Sequence, residues 1–204
     1  MKRAGLARLC SLPLCGLLVS SGCTRERYSP SSYSGYVQRP AFAKAAVVWQ
    51  RPDGTPFDMR RETAGRVTLL FFGYTHCPDI CPMQLVNISA ALQRLDGDTA
   101  SRVQVLFVTI DPKRDTGAVL SGWVHAINPS FIALRGDMAS VNAELARFGL
   151  TPPADAPQSD TVFSHASAVM AFSRDDSAHF AYPPSINAEA WAHDLRKLVA
   201  AGAP

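Results

Sequence analysis

Residues 67–72 read Val-Thr-Leu-Leu-Phe-Phe and run without a break into Gly-Tyr-Thr-His-Cys-Pro-Asp-Ile-Cys-Pro at 73–82. A continuous β-branched and aromatic run lacks the alternation of a half-exposed strand, so this strand must be covered on both faces. The chain therefore needs layers on either side of a central sheet. The remaining segments can supply them. Apolar positions Leu85, Ile88, Ala91, Leu92 and Leu95 repeat with helical period and close at Gly97. A second buried strand, Val103 to Ile110, ends in Asp111-Pro112. Val119 to Ile127 reads as a helix, Phe131 to Leu134 as a short strand, and 138–148 as another helix. A proline-rich loop at 151–160 leads to two strands, Val162 to Phe172 and His179 to Tyr182, with a turn at Arg174-Asp175-Asp176. An amphipathic helix from Ala188 to Ala200 places Trp191, Leu195, Leu198 and Val199 on one side. Upstream, 46–58 carries Pro-Asp-Gly between short apolar runs, the signature of a β-hairpin.

This order predicts an α/β fold with a mixed central sheet flanked by helices and an added N-terminal β-hairpin. A strand that enters a cysteine pair at a helix start is the thioredoxin arrangement, so the expected fold is thioredoxin-like.

Charge says little about partners once the N-terminus is set apart. Lys2, Arg3 and Arg8 precede an apolar run that is too short to span a bilayer and is interrupted by Pro13. Small residues then lead to Cys23. This is a secretory signal pattern, and Val19-Ser20-Ser21-Gly22-Cys23 resembles a bacterial lipobox. Residues 1–22 are read as a lipoprotein-type signal and Cys23 as the lipidated residue. Residues 23–40 are read as a polar tether and 41–204 as the globular domain. The expected location is the periplasmic side of a bacterial membrane, held by a lipid anchor. The whole chain carries 20 basic and 17 acidic residues. Three of the basic ones lie in the signal, so the mature protein is neutral and has no charge-based case for nucleic acid.

Of five cysteines, Cys10 and Cys15 lie in the signal and Cys23 at the anchor, leaving Cys77 and Cys81. Helical i, i+4 spacing puts their sulfurs one turn apart on one face. Pro78 suits a first helical position, which makes Cys77 the expected cap, where the helix dipole favours a thiolate. Pro82 is expected to distort the turn into a loop. Such a pair can close a reversible disulfide or hold a thiophilic ion such as Cu(I). A third ligand would have to come from a histidine. His193 reads as a solvated helix residue, and His125 and His179 have no soft ligand nearby in sequence. His76 adjoins Cys77, but neighbouring side chains diverge. His165 follows the proline-rich loop at a strand start, and spacing alone leaves it open between ligand and structural residue.

The segments FFGYTHCPDICP (71–82) and VTIDPKRDT (108–116), followed downstream by His165, resemble the Sco/SenC copper proteins of cytochrome c oxidase assembly. The resemblance runs from about residue 40 to the end. It implies copper, Cu(I) and also Cu(II), held by Cys77, Cys81 and His165. The implied role is that of a metallochaperone, or thiol reductase, for the apo copper-bearing subunit of cytochrome c oxidase, served by a copper donor protein or a thiol reductant. Within Asp111, Pro112, Arg114, Asp115 and Thr116 the ordinary reading is a polar loop fixed by its own charges, and Asp111, rather than Asp115, is expected to orient a ligand from behind. The sequence departs from the family where Ser164 and Ala166 flank His165 and where Ser-Arg-Asp-Asp-Ser follows at 173–177.

A membrane-tethered thiol–disulfide oxidoreductase is the alternative from a different class, with Cys77 and Cys81 as its redox pair. A peroxidase fits less well, because Thr75 stands two residues before Cys77 rather than three and the expected upstream proline is missing. A redox or copper sensor would use the same ligands.

Overall fold

A computed structural model of the chain describes residues 32–150 and 167–201. The 67–73 run forms strand β4 (Val67–Gly73), and every one of its residues is buried. Counted along the chain, β1 is Tyr36–Ala43, β2 Val48–Gln50 and β3 Pro56–Asp58, followed by helix α1 Met59–Glu62. After β4 come α2 Ile80–Leu92, α3 Gly97–Ser101, β5 Val103–Thr109, α4 Gly117–Ile127, β6 Ile132–Arg135 and α5 Met138–Arg147. The described chain closes with β7 Val169–Phe172, β8 Ser177–Tyr182 and α6 Ala188–Ala200.

The strands make one sheet in the order β1-β8-β7-β4-β5-β6-β2-β3. β4, β5 and β6 are parallel, with Leu70 opposite Leu106 and Leu106 opposite Ile132. β7 is antiparallel to β4, and β8 and β1 follow by antiparallel pairing. The hairpin β2–β3 adds to β6 through Gln50 opposite Arg135. The sheet is mixed and the fold is thioredoxin-like, as the order of elements predicts.

Side-chain alternation divides the interior in two. Val67, Leu69 and Phe71 of β4 join Val103, Val105 and Phe107 of β5 on the face covered by α2, α4 and α6. Leu70 and Phe72 join Leu106 and Val108 on the other face, against α5, Trp49 and Phe57. Apart from Thr68, Gly73, Gln104 and Thr109, each residue of β4 and β5 thus feeds one of two apolar layers, which leaves neither strand a polar face.

Three boundaries differ from expectation. Residues 36–40 belong to strand β1, not to a tether. As an edge strand partly exposed on both faces, β1 shows no clean alternation, and Pro40 is tolerated at an edge. The segment before it is anchored: the Ser34 N–H donates to Asp194 Oδ2 at 2.6 Å, and Tyr33 lies 4.3 Å from the Phe180 ring. Helix α2 stops at Leu92 because Asp96 starts a separate turn, capping Thr99 N–H at 2.9 Å. Strand β7 begins at Val169, with Ser167 and Ala168 outside it; 162–166 lie outside the described residues.

Candidate metal centre

The parallel strands end at one edge of the sheet, and β4 delivers the cysteine turn there. At that end Gly73 is packed so closely that an added Cβ would lie 2.6 Å from Phe107 Cε2 and 2.9 Å from Cys81 Sγ. The glycine is what lets the Cys81 sulfur settle over the strand. Cys81 is 5% exposed and part of the α2-side core, whereas Cys77 is half-buried and packs against both layers. Both are free thiols.

Asp79, not Cys77, caps α2, its carboxylate accepting the Ile80 N–H at 2.5 Å. The helix starts two residues later than Pro78 would suggest. Pro82 then falls in the first turn, where a missing N–H breaks no intrahelical bond, so it does not distort the helix. Cys77 lies just outside and turns its sulfur back to the helix start, accepting the Cys81 N–H at 3.3 Å.

This placement separates the two thiols chemically. Hydrogen bonding from the Cys81 thiol, with the backbone N–H groups of Cys81, Asp79 and Ile80, lowers the Cys77 pKa to about 6 against the cost of burial. Cys81 moves the other way, raised by its hydrogen bond to Cys77 and by burial. Burial, and then the two sulfurs beside it, pushes the Tyr74 hydroxyl up to about 12. The surroundings thus favour the thiolate at Cys77 and the thiol at Cys81, side by side at a helix N-terminus.

The acid that reaches this turn is Asp115, in place of the expected Asp111. Asp115 is fully buried and accepts the Thr75 N–H at 3.1 Å, the Thr75 hydroxyl at 2.5 Å and the Thr109 hydroxyl at 2.5 Å. Asp111 is buried and paired with Arg114. Its N–H donates to Thr109 Oγ1 at 3.0 Å. The two carboxylates, four residues apart, take different partners, and sequence alone could not rank them.

His165 and Cys23 lie outside the described residues, as do residues 1–22. Among the described residues, no cluster of three or more His, Cys, Asp or Glu side chains is arranged to hold a metal. The other histidines have local partners: His125 contacts Ser121, His179 pairs with Asp175, and His193 lies 2.8 Å from Asp194. Gln84, fully buried one turn beyond Cys81, belongs to no motif of the sequence. Its Nε2 donates to the Ser167 carbonyl at 3.1 Å and ties α2 to the chain two residues after His165. A glutamine among apolar helix positions was the available clue.

A mixed thioredoxin-like sheet carrying a CxxxC dithiol at its parallel-strand end defines, by fold and site, a class of thioredoxin-like dithiol proteins. Residues 51–200 match the SCO1/SenC family model, and the chain belongs to that family. It is similar to the mitochondrial SCO2 homolog of Bos taurus, 33% identical over 141 residues that cover 67% of this chain and 53% of the relative. The mitochondrial SCO1 homolog 1 of Arabidopsis thaliana is 33% identical over 51% of this chain and 32% of its own length. The chain thus spans about a third to a half of these relatives. Among solved structures, apo Sco1 of Thermus thermophilus superposes with a TM-score of 0.67 at 29% identity, covering 82% of this chain and 96% of that one. The copper-bound ScoI of Bradyrhizobium japonicum gives 0.64 at 27% identity, over 76% and 99%.

Proposed function

We propose that this protein is a copper metallochaperone, binding one copper ion through Cys77, Cys81 and His165. It would deliver the ion to the apo copper-bearing subunit of cytochrome c oxidase. The observation that carries the reading is the pair of free thiols at the start of α2, Cys81 seated over Gly73 and Cys77 accepting the Cys81 N–H. Two soft sulfurs, one already ionised near neutral pH, suit Cu(I), and an imidazole would extend the set to Cu(II). Gln84 supports His165 as the third ligand. It fixes Ser167 beside α2, and two residues of chain reach at most about 7 Å from there. A copper-bound relative at 27% identity supports the choice of metal. Cys23 as lipid anchor would hold the domain at the periplasmic face of a membrane. Among the described residues no helix is long and apolar enough to cross one.

Copper analysis of the purified, reduced protein tests this. One ion per chain is expected, with affinity in His165→Ala lowered by about tenfold or more, as for loss of a metal ligand or its support. Unchanged affinity in that variant removes His165 from the site, and failure of the wild type to retain copper removes the reading.

The asymmetry of the thiols favours a second reading, thiol–disulfide exchange. The Cys77 thiolate would attack a partner disulfide to form a mixed disulfide, and Cys81 would then displace it. That leaves Cys77–Cys81 oxidised and the partner with two thiols. Copper needs both sulfurs reduced, so the two activities exclude each other at any instant. A reduction potential too low for the dithiol to be regenerated by a cellular reductant argues against cycling.

A further inference from the structure

His76 lies in the chain between Thr75, which bonds the buried Asp115, and Cys77, and its hydrogen bonds fix which nitrogen it offers. The Thr75 hydroxyl has one hydrogen and two contacts: Asp115 Oδ1 at 2.5 Å and His76 Nδ1 at 3.1 Å. Three donors converge on the Asp115 carboxylate, which only accepts, so the Thr75 hydrogen goes there. The hydroxyl oxygen is then left to accept, and His76 must donate from Nδ1–H. In neutral imidazole this leaves the lone pair on Nε2. Asp115 Oδ1 lies 3.8 Å from Nδ1 and favours the same orientation. The His76 side chain is 54% exposed, and Nε2 has no partner among the described residues. A carboxylate behind one ring nitrogen, with the other free, is the arrangement of metal-ligating histidines.

We infer that His76 is an exchange ligand, whose Nε2 holds copper in passage between solvent-side donors or acceptors and the thiols of Cys77 and Cys81. This rests on the copper reading above. Asp115 and Thr75 are positioning residues for it. Adjacent side chains diverge, so His76 does not complete the resting site. The step is ligand exchange without change of oxidation state. As the ion moves from Nε2 and its outside ligand onto the two sulfurs, the Cys81 thiol releases its proton to water, and transfer out reverses this.

The test uses the full-length reduced protein and Cu(I) alone, with transfer to and from a coloured Cu(I) chelator followed by stopped flow. His76→Gln is expected to slow loading and release alike, each about tenfold, and Thr75→Val to slow both in the same sense. Nitrogen-15 NMR of the copper-free protein should show His76 as the Nδ1–H tautomer, a readout that a merely structural role would not fix. Unchanged rates in His76→Gln, or an Nε2–H tautomer, overturns the inference. So does a release rate that rises as loading falls, the mark of a resting-site ligand. A wild type that does not retain copper defeats the underlying reading before any variant is compared, so the two failures are distinguishable.

Discussion

Cys77 and Cys81 are identical residues made unlike by where α2 begins. Cys77 collects the N–H groups at the helix start and a hydrogen bond from its neighbour, while Cys81 is sunk into the core over Gly73. Alkylation of the reduced protein at Cys77 should therefore follow a titration near pH 6, falling as pH drops through that value because the reactive thiolate is lost. A midpoint at the ordinary thiol value would show that the helix start does not act on it. Copper loading near pH 7.5 should release about one proton rather than two, since Cys77 has already lost its own and Cys81 has not. Calorimetry in buffers of different ionisation enthalpy measures this. Gly73→Ala should cost about 1–3 kcal/mol and displace the Cys81 sulfur, because the new methyl overlaps it and Phe107. Denaturant unfolding gives the first effect and weakened copper retention the second.

At the scale of elements, the cysteine turn after β4 is held by Asp115 of the loop after β5, which bonds Thr75 of the turn and Thr109 of β5. The buried strands, the hairpin and α6 were legible from residue pattern, because burial on two faces leaves an unbroken apolar run and one-sided burial leaves a 3.6-residue period. The cysteine pair was legible from its spacing. The cap was not: Cys77, Pro78 and Asp79 all suit a helix start, and only the backbone decides that Asp79 takes it. The choice between Asp111 and Asp115 was equally hidden, since it depends on which way a four-residue turn faces. β1 was missed because an edge strand with Pro40 and partial exposure on both sides has no pattern to show. Its anchor is Asp194, fully buried, which accepts the Ser34 N–H, the Tyr182 hydroxyl at 3.0 Å and a contact from His193. Asp194→Ala leaves buried donors unpaired and should cost about 1–3 kcal/mol. Amide exchange at residues 34–37 should rise more than in β4; uniform loosening would contradict this local role.

Across the whole molecule, β8 runs parallel to β4, and β1 returns against it with Tyr36 opposite Ala181. The anchored segment before β1 therefore enters at the same end of the sheet as the cysteine turn. On the proposed reading, a lipid anchor upstream of Ser34 would join the domain at that end of the sheet. All of this depends on the ion being held as proposed. X-ray absorption of the reduced, copper-loaded protein measures that directly. Two sulfur ligands and one nitrogen are expected at each copper, with the nitrogen lost in His165→Ala and kept in His76→Gln. Copper bound by sulfur alone in the wild type, or bound without Cys77 and Cys81, would contradict it.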